Sequence, residues 1–213
     1  MKRRYAEACA SAILALGLAA CAAGPAQRPQ PPAPPALQKA APASAPSPGK
    51  AEQRYQEALA LLKNGQRKPA QDLLLALTRE HPDLSGPWTT LGISQAQGKQ
   101  REAAIASFTR AVAANPRNAV AHNWLGSLHR ESGNFAAAEQ AYLKALAAQP
   151  DYAAAHLNLA ILYDVSLRRP QQALSYYRSY QQFKGGENLI VSAWIKELEA
   201  AQPPPVSVAG VQP

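Results

Sequence analysis

Pro82, Pro116 and Pro150 stand 34 residues apart, and the apolar residues between them recur in phase with the prolines. A unit of that length cannot bury its own apolar face, so a chain built this way is stabilised by stacking each unit on the next. One unit carries Trp88, Leu91 and Gly92, then Ala104, Phe108, Ala111 and Pro116. The next carries His122, Leu125 and Gly126, then Ala138, Tyr142, Ala145 and Pro150. An earlier unit holds Ala58, Leu61, Ala70, Leu74, Leu77 and Pro82, and a later one His156, Leu159, Ala160, Tyr163, Ala173 and Tyr177.

Within each unit, apolar residues three and four apart mark two amphipathic helices. The small residues Ala58, Gly92, Gly126 and Ala160 let a facing helix approach closely, and Phe108 and Tyr142 fill the gaps they leave. Gly98 and Gly133 are expected to end first helices. Asn115-Pro116 and Gln149-Pro150 are expected to close second helices, because a residue before proline is driven out of the helical region. The pattern predicts four antiparallel pairs, with helices near 52–64, 67–80, 85–97, 101–114, 119–132, 135–148, 153–165 and 170–183.

The fourth unit departs from the period. Ala173 lies one residue late, so Arg168-Arg169-Pro170 is expected to lengthen the turn between its helices, and Tyr180 replaces a small residue. Beyond Gly185-Gly186, the segment 187–200 places Ile190, Val191, Trp194 and Leu198 at helical spacing, the pattern of a helix that caps a solenoid.

The alternation of Trp, Leu-Gly, Ala, Phe or Tyr, Ala and Pro resembles the tetratricopeptide repeat family over roughly 51–184. The resemblance implies an all-α, right-handed α-solenoid of about four helix pairs, near 51–82, 83–116, 117–150 and 151–184, plus the capping helix. It also implies that the first helices line a concave groove for a peptide or a partner's helix. On that register the groove positions are Tyr55, Leu59 and Leu62; Thr89, Ile93, Ala96 and Gln97; Asn123, Ser127, Arg130 and Glu131; and Leu157, Ile161, Asp164 and Val165. Mixed apolar and polar side chains suit a peptide with apolar anchors. Tyr55 and Leu59 stand where a carboxylate-clamping relative would carry Lys and Asn, so that mode of binding is not expected.

No catalytic pattern accompanies the repeats. The histidines are His81, His122, His129 and His156, and His122 and His156 share the repeat position of Trp88, which points to packing. Neither HExxH nor a Cys/His ligand run occurs, and there is no GxSxG or Gly-rich phosphate loop. The chain is read as a non-enzyme that needs no cofactor or metal, with a protein or peptide as partner.

Residues 1–20 begin with Lys2-Arg3-Arg4 and continue as an apolar run from Ala8 to Ala20, the pattern of a secretory leader. Leu18-Ala19-Ala20-Cys21 resembles the lipobox of bacterial lipoproteins, which implies a diacylglycerol on Cys21 as the first mature residue. With Ala22 rather than aspartate next, the resemblance implies an outer-membrane protein facing the periplasm. Cys9 would leave with the leader, so no disulfide is expected. Residues 21–50 are rich in Pro and Ala and cannot build a core. Such a linker, at about 3.1 Å per residue, reaches roughly 90 Å. The tail 201–213, with Pro203-Pro204-Pro205, reads the same way.

Losing residues 1–20 removes three bases and one acid, so the formal charge falls from +8 to 19 − 13 = +6, and Arg28, Lys39 and Lys50 of the linker carry half of that. The +3 left on the repeats and tail gives little reason to expect a nucleic acid partner. A lipobox combined with these repeats resembles pilotin-type lipoproteins, implying a scaffold in pilus (type IV or Flp-like) or secretion-system assembly. An adaptor for peptidoglycan hydrolases or proteases is the alternative. Self-association is a third reading, suggested by Tyr176, Tyr177, Tyr180 and Trp194, which are expected to be exposed.

Overall fold

The computed structural model describes residues 49–201. The leader, Cys21, the linker as far as Pro48 and the tail from Gln202 lie outside the described residues. Within them the chain forms α1 (Lys50–Lys63), α2 (Arg67–Glu80), α3 (Ser85–Gln97), α4 (Arg101–Ala114), α5 (Ala119–Glu131), α6 (Phe135–Ala148), α7 (Ala153–Ile161), α8 (Pro170–Lys184) and α9 (Leu189–Ala200). Four helical hairpins stack in order, first helices touch across repeats (α3 on α5, α5 on α7), and α9 covers α8. The all-α solenoid with a capping helix expected from the period is the fold observed.

Why the helices stop is visible in the backbone. His81, Asn115 and Gln149, each before a proline, leave the helical region with φ of −133°, −140° and −142°. Inside each hairpin one residue adopts the left-handed conformation: Gly65 (φ 76°), Lys99 (61°), Gly133 (77°) and Arg168 (55°). Gly98 does not take that role; its φ is −80°, and the left-handed residue is Lys99, which bears a strain of about 1–2 kcal/mol that glycine would avoid. The next residue donates its N–H back across the helix end, Gln66 to Leu61 O, Gln100 to Gln95 O and Asn134 to His129 O, each at 2.9 Å.

In the fourth hairpin that bond runs from Arg169 N to Tyr163 O at 2.8 Å, one residue longer. The extra residue is not in the turn, where the sequence suggests it. It widens the end of α7 into a π-turn, Leu162–Ser166, closed by Leu167 N to Leu162 O at 3.0 Å. A helix end can accommodate one residue by exchanging i→i−4 for i→i−5 bonds, whereas the tight turn depends on one left-handed residue in a fixed place.

The core follows the repeat. Ala58, Leu74, Leu91, Ala104, Phe108, Ala111, Ala138, Tyr142 and Ala145 are fully buried, and each large one contributes roughly 1.5–3 kcal/mol of apolar burial. A Cβ on Gly126 would lie 2.5 Å from Tyr142 Cε1, and one on Gly92 would lie 2.8 Å from Phe108 Cε1. Those rings occupy the space a side chain would need. At the first repeat the aromatic is replaced by Leu74, and Ala58 is accommodated.

Two expectations at the C-terminal end are corrected. Tyr177 and Tyr180 are buried, at 1% and 3% exposure, and Tyr176 and Trp194 are half-buried, so no exposed aromatic cluster forms. On α9 the buried stripe is Val191, Trp194, Ile195 and Leu198, and Ile190 points outward. Ile190 is one residue, about 100° of helical turn, away from the start of that stripe.

Candidate protein-binding surface

The first helices α1, α3, α5 and α7 carry the predicted groove positions, and burial divides those positions into distinct sets. Thr89, Asn123, Ser127 and Leu157 are buried. Their polar atoms serve the joints between helices. Asn118 Nδ2 donates to Thr89 Oγ1 and to Ser85 Oγ, both at 2.7 Å. Asn158 Nδ2 donates to Asn123 Oδ1 at 3.0 Å across the third and fourth repeats, and Tyr142 Oη donates to Ser127 Oγ at 3.2 Å. Buried polar groups must be paired in this way or they cost stability.

Tyr55, Leu59, Leu62, Ile93, Ala96, Arg130, Ile161 and Asp164 are half-buried, and Gln97, Glu131 and Val165 are exposed. Tyr55 is held by a 2.8 Å hydrogen bond between its hydroxyl and Thr90 Oγ1. Asp164 accepts from Tyr177 Oη at 3.2 Å, and burial pushes its carboxyl above the usual range, with that bond opposing the shift. Glu131 faces Arg101 at 3.4 Å, an exposed pair worth little to stability. Among these positions the aliphatic side chains Leu59, Leu62, Ile93 and Ile161 keep part of their surface accessible, alongside the exposed Val165 and the polar Gln97, Arg130 and Glu131.

The repeat position shared by Trp88, His122 and His156 does more than pack. Trp88 Nε1 donates to Pro82 O at 3.0 Å, and His122 Nε2 and His156 Nε2 lie 2.9 and 2.8 Å from Pro116 O and Pro150 O. A carbonyl only accepts, so Nε2 carries the proton in both histidines. The six-residue step from proline to ring was present in the sequence, and only the bond was missed.

Two open clefts also escaped the sequence reading. One, of about 480 Å³, is lined by Pro116, His122 and Lys144 among others; the other, of about 680 Å³, is lined by Pro82, Trp88 and Arg110 among others. These residues correspond pairwise at 34-residue separation, so the clefts are one feature repeated. Among the described residues no cluster of His, Cys, Asp or Glu could hold a metal ion, and no helix is long and apolar enough to cross a membrane.

Comparison with known proteins agrees with this architecture. Residues 89–153 and 127–188 match the tetratricopeptide repeat family. Among solved structures, PilF of Pseudomonas aeruginosa is similar at 20% identity and a TM-score of 0.62, over 70% of this chain and 68% of that one. MamA from Desulfovibrio magneticus RS-1 is similar at 17% identity and a TM-score of 0.61, over 71% and 85%. TTC0263, a thermophilic tetratricopeptide repeat protein of Thermus thermophilus, is similar at 25% identity and a TM-score of 0.56, over 71% and 82%. No curated protein sequence matches the chain. The family match spans residues 89–188, and the structural likenesses agree with the helical-repeat fold.

Proposed function

We propose that the protein is a non-catalytic binding scaffold whose first-helix face takes an apolar segment of a protein partner. The observation that carries this reading is the division of that face. Its buried polar members, Thr89, Asn123 and Ser127, are committed to internal hydrogen bonds, while Leu59, Leu62, Ile93 and Ile161 keep part of their surface accessible. A partner that covers them gains roughly 25 cal/mol for each Å² of apolar surface removed from water. The resemblance of Leu18-Ala19-Ala20-Cys21 to a lipobox supports a lipid anchor on Cys21 at the outer membrane, with the repeats in the periplasm. Pilus or secretion-system assembly is the pathway we favour, on the combination of that anchor with these repeats; the likeness to PilF, at 20% identity, adds agreement of fold.

A photoreactive residue at Ile93 or Ile161 in the full chain, followed by mass spectrometry of the trapped partner, tests the reading. A pore or pilus subunit is expected. A wall hydrolase or protease in its place would retain the scaffold and replace the pathway, and the absence of any adduct would remove the first-helix face as the working surface. Cys21→Ala is expected to leave an uncleaved, unlipidated precursor, and normal processing with detergent-phase partitioning of that variant would sink the anchor.

A further inference from the structure

The paired clefts lie away from the first-helix face and share no residue with the predicted groove positions. Each forms where the C-terminal ends of two successive second helices meet the loop that enters the next repeat, beneath the ring held to the proline carbonyl. Small residues keep them open, Ala114 in one and Ala148 in the other.

The fourth repeat shows what fills such a cleft. With its one-residue insertion, Phe183 takes the place of Ala148, since 148 + 35 = 183. Its ring stacks on His156 at 5.1 Å between centroids, so an apolar side chain occupies the position that the other two clefts leave empty. Arg110 and Lys144 are likewise succeeded by Ser179, so the cation is absent where the aromatic ring stands.

The open clefts are cationic. Arg79 and Arg110 flank one, Arg117 and Lys144 the other, and none of these four forms an ion pair among the described residues. The remaining walls are mostly apolar, from proline and alanine. We propose that the two clefts form a second docking surface, for an acidic peptide segment of a partner protein. An apolar side chain of that segment would enter each cleft where Phe183 enters the third, and its carboxylates would face the unpaired cations. Asp83, at the edge of the cleft that holds Arg79 and Arg110, favours such a mixed peptide over a uniform polyanion, which it would repel. Unpaired cations beside an apolar pocket are the arrangement in which charge-assisted hydrogen bonds add to side-chain burial.

Selection of short random peptides displayed against the full chain tests the assignment, followed by titration of a labelled synthetic peptide from the enriched set. Acidic peptides carrying apolar residues are expected. Two double variants then locate them: Ala114→Phe with Ala148→Phe fills the clefts as Phe183 fills the third, and Arg110→Gln with Lys144→Gln removes charge from exposed positions without adding bulk. Each is expected to weaken binding about tenfold or more, while unchanged melting temperatures show that the fold persists. Enriched peptides without an acidic excess, or peptides that bind both double variants as tightly as the parent, overturn the proposal. Loss of binding only on Ile93→Glu would transfer the peptide to the first-helix face and overturn it too. Equal competition by inorganic polyphosphate would reduce the clefts to a general anion surface, and concentration-dependent dimerisation abolished by the same variants would make a second copy the occupant; either result overturns it.

Discussion

In the third repeat Tyr142 enters the space left by Gly126 and donates its hydroxyl to Ser127, whereas in the fourth the glycine has become Ala160 and Tyr177 donates to Asp164 instead. Asn118 caps α5 by accepting from Ala121 N at 2.9 Å; its counterpart at the start of α7, Tyr152, makes no side-chain cap and buries its phenol beside Asn123, outside good hydrogen-bond geometry. The third repeat is thus joined on both sides by small residues and amides. The fourth, with only the capping helix beyond it, closes with aromatic bulk at Tyr176, Tyr177, Tyr180 and Phe183. An interior repeat is constrained to match two neighbours, and a terminal one is free to spend its period on sealing the end.

The sharpest way to break this contrast is at the small residue. Gly126→Leu drives a side chain into Tyr142 and is expected to cost about 3 kcal/mol, measured by urea unfolding; Ala160→Gly, at the same repeat position, should cost about 1 kcal/mol through helix propensity. Equal effects at the two sites would mean that the repeats are not packed differently. The insertion comes next. Deleting Val165, which is 50% exposed, returns the fourth repeat to the regular spacing and is expected to cost about 1 kcal/mol or less in the same assay. A loss of several kcal/mol would show that the π-turn itself is needed to seat α8.

The smallest expected effect is on Tyr152, and it depends on pH. Burial pushes its phenol up to about 12 from the ordinary 10.0, so the folded state keeps a proton that the unfolded chain releases. Its contribution is therefore constant below pH 10.0 and is lost as pH rises from there towards about 12. Tyr152→Phe should change stability by less than about 0.5 kcal/mol at neutral pH, because no well-formed bond is removed. It should also flatten the alkaline loss, and melting curves on either side of pH 10.0 decide it; an unaltered slope would assign the loss to the other raised phenols, Tyr55, Tyr142, Tyr163 and Tyr176.

The period made most of the fold legible, because proline, glycine and the buried aromatics act through short-range sterics that a sequence states outright. Helix ends before Pro116 and Pro150 were readable for that reason. The location of the inserted residue was not, since a longer turn and a widened helix end give the same spacing between Tyr163 and Ala173. The first-helix face was only half legible. Register places Thr89 and Ile93 on the same helix, but it cannot say that Asn118, 29 residues after Thr89, reaches back and takes its hydroxyl. The clefts left a trace only as alanines at Ala114 and Ala148 beside unpaired bases, a pattern that also describes an ordinary helix end.

The bond from each ring nitrogen to the proline carbonyl six residues before it has a consequence for how such a chain can grow. Trp88 and His122 exchange freely at that site because the requirement is an N–H at a given reach, not a particular ring. Both ends of the clasp lie within one short stretch of sequence. A duplicated block of 34 residues therefore arrives with its own hinge already written into it, and only the faces between repeats have to be matched to the neighbours.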